Sequence, residues 1–317
     1  MKDIYKKFRL KNIFKEDESR FVIGCGLKFS GIFLGSLTLI YYSLWILLSI
    51  NSIYFESFSK DLPIDLKDSF LQLIFSKLYL YFPEFFACTI LLFFVGLYVG
   101  KVLLRPFEQI GSYCEKKTLG EAAEYNPDQF TDYKLLSRFS EYFFTHLESC
   151  IQESKLSKQT IPPQYSKIHS PPFEKVFFFH FTMIVLIIAS IIGTLLGYLV
   201  LNIEDQIVDI SFRIIGKDNK GLAYFLDNQT RIYASIVISS CLIITIGYLG
   251  LCFHLYGKIA GAIFGFFATM RAHLKGSFKA RVHLIGYPHV RPFSRQMNKF
   301  LDHVERQCTI YNNKKQN

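Results

Sequence analysis

Residues 276–304 read GSFKARVHLIGYPHVRPFSRQMNKFLDHV. In the second half, Phe293, Met297, Phe300 and Val304 recur at spacings of four, three and four. That is the seam of a short helix, which must be buried against other helices. The first half lacks this period. Gly276, Ser277 and Phe278, then Ala280, Arg281 and Val282, read as a non-helical connector, with Val282, Leu284 and Val290 available to pack along a bundle. Just upstream, Ile263, Phe267, Met270 and Leu274 make another 4-3-4 stripe. The order is therefore helix, Gly-led connector, helix, directly after an apolar run.

The same plan occurs earlier at an offset of about 157. Gly100-Lys101-Val102 corresponds to Gly257-Lys258-Ile259, Gly120 falls close to the counterpart of Gly276, and Phe139 and Tyr142 correspond to Met297 and Phe300. Leu103, Phe107, Ile110 and Cys114 form the stripe before that connector, and Leu136, Phe139, Phe143, His146 and Cys150 the stripe after it. Self-similarity of this kind points to duplication.

Four apolar runs, 27–50, 85–104, 176–201 and 232–255, are each long enough to cross a bilayer. Half of the 317 residues are hydrophobic while 20% are charged, a mixture that fits spans joined by polar segments. The segments 51–84 and 202–231 carry three and four Lys/Arg. Residues 1–28, 101–175 and 258–317 carry eight, ten and eleven. The positive-inside rule then places both termini in the cytoplasm. Within 51–84, Phe70, Leu71, Ile74, Phe75 and Leu78 recur at helical spacing. Asn228-Gln229-Thr230 is a glycosylation triplet in the second outer segment, with little else to support a secretory origin. Pro162, Pro163, Pro171 and Pro172 mark 152–175 as a linker. The expected segments are a lead-in (1–26), a first span pair (27–104), a first bundle segment (105–151), the linker (152–175), a second span pair (176–257), a second bundle segment (258–306) and a tail (307–317).

Arg105-Pro106-Phe107-Glu108-Gln109-Ile110 is similar to the Arg-Pro-Leu-x-x-Leu with which HAMP linkers open. A proline fits a helix start, where its missing N–H costs nothing. Gly276-Ser277-Phe278 stands where that family has Gly-Asp-Leu, and Met297-Asn298 where it has Phe-Asn. The family's Asp-Glu-x-Gly falls on Pro288, His289, Val290 and Arg291, a departure. The resemblance covers about 105–150 and 258–306, and Pro106, Phe107, Ile110, Gly120, Phe139, Gly276, Phe278, Phe293, Met297, Asn298, Phe300 and Val304 carry it. It implies parallel helical bundles with two packing arrangements, coupling span movement to a partner. Only some ten residues follow the last seam, so the output is expected in another chain.

No phosphate-binding loop, nucleophile elbow, metalloprotease or kinase motif is present, and the eight histidines and seven cysteines show no metal-ligand spacing. The expectation is a non-enzyme without cofactor, metal or nucleic acid. From Lys258 on, eleven Lys/Arg face two acids, Asp302 and Glu305. Lys258, Arg271, Lys275, Lys279 and Arg281 are the candidate contacts for anionic lipid. Gly193 and Gly197, four apart, offer a face for close helix packing. His180 and His254 sit at span ends, where water or headgroups reach them. The reading is an all-α membrane protein of four transmembrane helices and two cytoplasmic HAMP-like segments. It relays or organises signals at a bacterial inner membrane, as a homodimer or within a larger assembly. A structural subunit of a secretion or motor complex is the alternative, and a small transporter a third.

Overall fold

A computed structural model describes residues 16–58, 72, 75, 76, 79–127, 133–171, 174–215 and 220–316. Among the described residues seven helices follow one another: α1 (Asp17–Phe58), α2 (Phe82–Thr118), α3 (Lys134–Gln152), α4 (Pro163–Ser166), α5 (Lys175–Ile215), α6 (Lys220–Leu274) and α7 (Arg291–Gln316). A 3-10 turn at Pro288–Val290 leads into α7. No strand occurs among the described residues, and four helices (α1, α2, α5 and α6) are long and apolar enough to span a membrane. The chain is an all-α, multi-pass membrane protein.

In hydrocarbon a backbone must satisfy its own polar groups, and a helix does this locally. The small polar side chains of the spans follow the same rule. Ser36, Thr38, Ser43, Thr89, Thr194 and Thr245 each donate to the carbonyl one turn back, at 2.8–3.0 Å. Trp45, Phe94, Ile191 and Ile246 stay exposed, as lipid-facing side chains do.

The helices overrun the expected spans. At 1.5 Å per residue, α5 is about 60 Å long, twice the hydrocarbon thickness. The polar stretch 202–231 is helix on both sides of 216–219, which lie outside the described residues. Local polarity marks where a helix meets water, and not where it stops. The triplet at Asn228 is accordingly helical, with Gln229 buried. Pro106 opens no helix: it lies inside α2, which runs unbroken from span to stripe and tolerates the lost amide bond at one turn. The lead-in to residue 15, Pro172, and stripe positions Phe70, Leu71, Ile74 and Leu78 lie outside the described residues.

The chain forms two compact units. One comprises Gly26–Gly96 and Thr182–Leu251. Its helices approach closely at small residues. A Cβ on Gly197 would stand 3.1 Å from Val237, and one on Gly193 3.3 Å from the Cys241 sulfur. Its polar side chains pair across helices: Gln229 donates to Asn51, both buried, and Asn202 donates to the Tyr81 hydroxyl at 2.6 Å. Tyr248 donates to the Phe29 carbonyl at 3.0 Å.

The other unit comprises the chain to Cys25, Leu97–Phe181 and the chain from Cys252 on. In it the ends of α2 and α6 pack with α3 and α7 around one aromatic core. Phe107 meets Phe266, Phe139 meets Phe267, and Phe300 meets both Tyr113 and Phe144. The contacts step in the same direction along each pair. Phe144 lies against Phe300 and Cys150 against Cys308; Phe139, Ser140 and Phe143 lie against Phe267, Met270 and His273. The helices therefore run parallel. The predicted seam residues Leu103, Phe107, Ile110, Cys114, Ile263, Phe267, Met270, Leu274, Phe293, Met297, Phe300 and Val304 are all buried. On α3 the seam is Leu136, Phe139, Phe143, Leu147 and Cys150. His146 sits half-buried at its edge, because its ring nitrogen needs the Ser157 carbonyl at 3.0 Å.

Phe300 is 1% exposed and closes the core between α2 and α3. Phe300→Ala should cost ~3 kcal/mol. Thermal unfolding of the detergent-solubilised protein, followed by labelling of the buried Cys308, checks it. Lys299→Ala, on the exposed face, should leave the midpoint unchanged.

Candidate functional site

The bundle's distinctive parts are its two connectors. Both begin at the same helix ending. At Gly120 (φ +78) the amide bonds to the Lys117 carbonyl and Glu121 bonds to Lys116. At Gly276 (φ +97) the amide bonds to His273 and Ser277 bonds to Ala272. These are matching Schellman caps, 156 residues apart, and each needs a residue with positive φ, which glycine adopts without strain. The repeat therefore extends to backbone geometry. Equivalent contacts recur as well: Phe139 lies on Phe267, while Gln296 and Phe293 lie over Gly111.

The second connector is clamped by polar groups. Asn298 accepts the Val282 amide at 2.8 Å and donates to the Val282 carbonyl at 3.1 Å, pairing with that residue as a strand neighbour would. Arg281 uses its whole fork. Nε and Nη2 reach Asp302 at 2.8 and 2.7 Å, Nη2 reaches Glu305 at 2.6 Å, and Nη1 donates to the Phe278 and Ala280 carbonyls. The only two acids after Lys258 are thus both engaged with Arg281. His273 contacts the Ala280 carbonyl at 2.8 Å, and Phe278 packs edge-on to its ring. Tyr287 and Leu284 lie against Gly261 and Gly265 of α6, where any side chain would collide with them. His289 stacks on Phe21 with ring centroids 4.4 Å apart. Burial pushes His289 below the usual histidine range, against an opposing bond to the Lys258 backbone.

The first connector is held differently. Tyr125 inserts its ring beside Tyr113 and Phe144, with centroids 5.7 and 5.2 Å away. Burial raises its phenol well above the ordinary range, against the opposing effect of the nearby Ser140 and Ser137 hydroxyls.

The structure brings Pro106, Phe107, Ile110, Phe139, Phe293, Met297, Asn298, Phe300 and Val304 into this one bundle, with Gly120, Gly276 and Phe278 at its connectors. Gly193 and Gly197 belong to the other unit. Of the basic candidates, Lys258, Lys275 and Lys279 are exposed, Arg271 donates to the Ile168 carbonyl at 2.6 Å, and Arg281 is the clamp already described. Sequence reading missed Tyr125, the glycine face and the Val282 partner of Asn298. The first two had signals: a single aromatic in a polar run, and Gly257, Gly261 and Gly265 spaced by four. No protein-family model, curated protein or solved structure matches the chain.

Asn298→Ala leaves the Val282 amide without its acceptor and should cost about 1–2 kcal/mol. Hydrogen exchange of the Val282 amide should rise accordingly. Asn298→Asp, which still accepts but cannot donate, should fall between wild type and Ala.

Proposed function

We propose that this chain is a signal relay of the bacterial inner membrane, with both termini cytoplasmic, working through a HAMP-like bundle assembled from its own two repeats. It acts in a homodimer or larger assembly and delivers its output to a partner chain. The observation that carries this reading is helix continuity. α2 and α6 each run without interruption from an apolar span to a buried stripe, as Leu92 to Cys114 and Ile244 to Leu274. A helix is stiff along its axis, so a shift or rotation of a span moves the stripe with it. The stripe residues meet partners in a tightly packed aromatic core. Such cores adopt discrete alternative packings more readily than they deform continuously. The connector clamps are exchangeable polar contacts, which suits two arrangements of similar energy. The exposed Lys258, Lys275 and Lys279 make anionic lipid a second partner, each charge near the surface contributing ~1 kcal/mol.

The relay is tested by locking the spans and reading the bundle. A Cβ on residue 193 would lie 3.8 Å from the Cys241 Cβ, within disulfide range. Oxidising Gly193→Cys should change the labelling rates of Cys114, Cys150 and Cys308 several-fold, and reduction should restore them. These three thiols are at most 2% exposed, so they report opening. Unchanged rates would make the bundle a fixed scaffold, as in a machine subunit, and the relay reading would be abandoned.

Orientation has its own check. With native cysteines replaced, a cysteine at Arg213 should react with an impermeant thiol reagent in intact cells. One at Lys279 should react only after lysis. The reverse pattern would invert the topology.

A further inference from the structure

Glu174 immediately precedes α5, and it is 3% exposed. Its Oε1 accepts the Leu136 amide at 2.8 Å, and the Leu135 amide also donates to it. These are the second and third residues of α3, whose own N-cap residue, Tyr133, supplies no side-chain acceptor. A capping side chain normally serves those two amides from the adjacent position. Here the acceptor comes from 38 residues away, at the root of a membrane-spanning helix. Beside it the Tyr133 ring stacks on Phe177 of α5, with centroids 4.1 Å apart. One polar and one aromatic contact thus tie the start of α3 to the first turn of α5.

The surroundings favour a neutral side chain. Tyr165 of α4 and Tyr256 of α6 lie within the field of the carboxylate. Arg138 and Glu141 of α3 act on Tyr165 in turn, and the flanking Lys134 and Lys175 are exposed. What favours the ionised form is the pair of α3 amides and the positive end of that helix. Burial outweighs them: the group is pushed up from 4.5 to about 7.

We propose that Glu174 is a proton-binding joint between a span and the bundle. Protonated, it stays buried and holds the root of α5 against the start of α3. Ionised, it moves towards water and releases the first turn of α3. The ligand is the proton, on the side of the membrane where the bundle lies. For its consequence, though not for its chemistry, this rests on the relay reading. The sign follows from linkage. The closed joint binds the proton more tightly than an exposed carboxyl does. Closure is therefore complete below the ordinary 4.5 and is lost progressively as pH rises to about 7.

The test is hydrogen exchange of residues 134–138 in the full-length protein in nanodiscs, at pH 6 and pH 8, corrected for intrinsic rates. Those two affinities give roughly tenfold more opening at pH 8 than at pH 6. Glu174→Gln keeps an acceptor for the amides and carries no charge at either pH. It should abolish the difference and hold the protection seen in wild type at pH 6. Exchange at residues 143–148 serves as the control for global loosening and should not respond. No pH response in wild type, or the same response in Glu174→Gln, would overturn the proposal. The joint and the relay can fail separately. A tenfold response with unchanged thiol rates in the locked Gly193→Cys chain would leave the joint standing without the relay.

Discussion

Neither repeat can bury its own stripes. Copy one brings Leu103, Phe107, Ile110 and Cys114 on one helix and Leu136, Phe139, Phe143 and Leu147 on another, and two helices cannot surround that much apolar surface. Copy two has the same difficulty with Ile263, Phe267, Met270, Phe293, Met297 and Phe300. Four parallel helices close the core, and all of these residues become buried. Everything else in this unit depends on that closure. Parallel helices joined in sequence need a connector as long as the helix itself, and the connectors run back along the bundle. They pass where the surface admits them: over Gly261 and Gly265 in one case, and with Tyr125 beside Tyr113 in the other.

The parts legible in the sequence were those with a period. Spans, stripes and the duplication could be read because burial on one helix face repeats every three or four residues. Phe293, Met297, Phe300 and Val304 are buried while Lys299 and Arg306 are exposed, as the spacing requires. The two capping glycines were legible because few other residues tolerate a positive φ. Helix ends next to the membrane were less legible. Pro106 suggested a start, yet helix runs through it, and the polar 202–231 suggested a loop, yet it is helix on both sides of 216–219. Propensity sets a local cost of one turn, and continuity with a long packed helix repays it.

Polar partnerships were not legible at all. Asn298 could be picked out in sequence, but nothing local says that both its amide groups address Val282. Nor does anything in the linker composition say that Glu174 serves α3. Such contacts join residues 16 and 38 positions apart through tertiary placement. They carry no period, and a buried polar group is satisfied by whatever donor the fold brings near. His146 shows the reverse. Its spacing suggested the seam, but an imidazole needs a hydrogen-bond partner, and Leu147 takes the buried position.

The two copies share a plan and differ at their exits. After α3 the chain turns sharply: Ser154 adopts a left-handed conformation (φ +54), with its amide on Ile151 and Lys155 bonded to Cys150. A non-glycine residue there is strained by about 1–2 kcal/mol, so the turn must be held in place by the residues beyond it. Gln159 donates to the Leu274 carbonyl at the end of α6, Lys158 lies over Gly276, and Arg271 holds the Ile168 carbonyl. Tyr165 fills the space beside Phe139 and Phe267. This strap covers the exit of copy one, caps the first helix of copy two, and returns to present Glu174 to the start of α3. At the matching point copy two does not turn. α7 passes Cys308, which contacts the Cys150 carbonyl, and remains helical to Gln316. A bundle made of two identical chains would have two equivalent exits. Folding both copies into one chain closes one exit with the strap and leaves α7 as the single helix leading out. On the relay proposed above, a change in core packing would leave along that one helix, and the strap, which carries Glu174, would be a second route into the core.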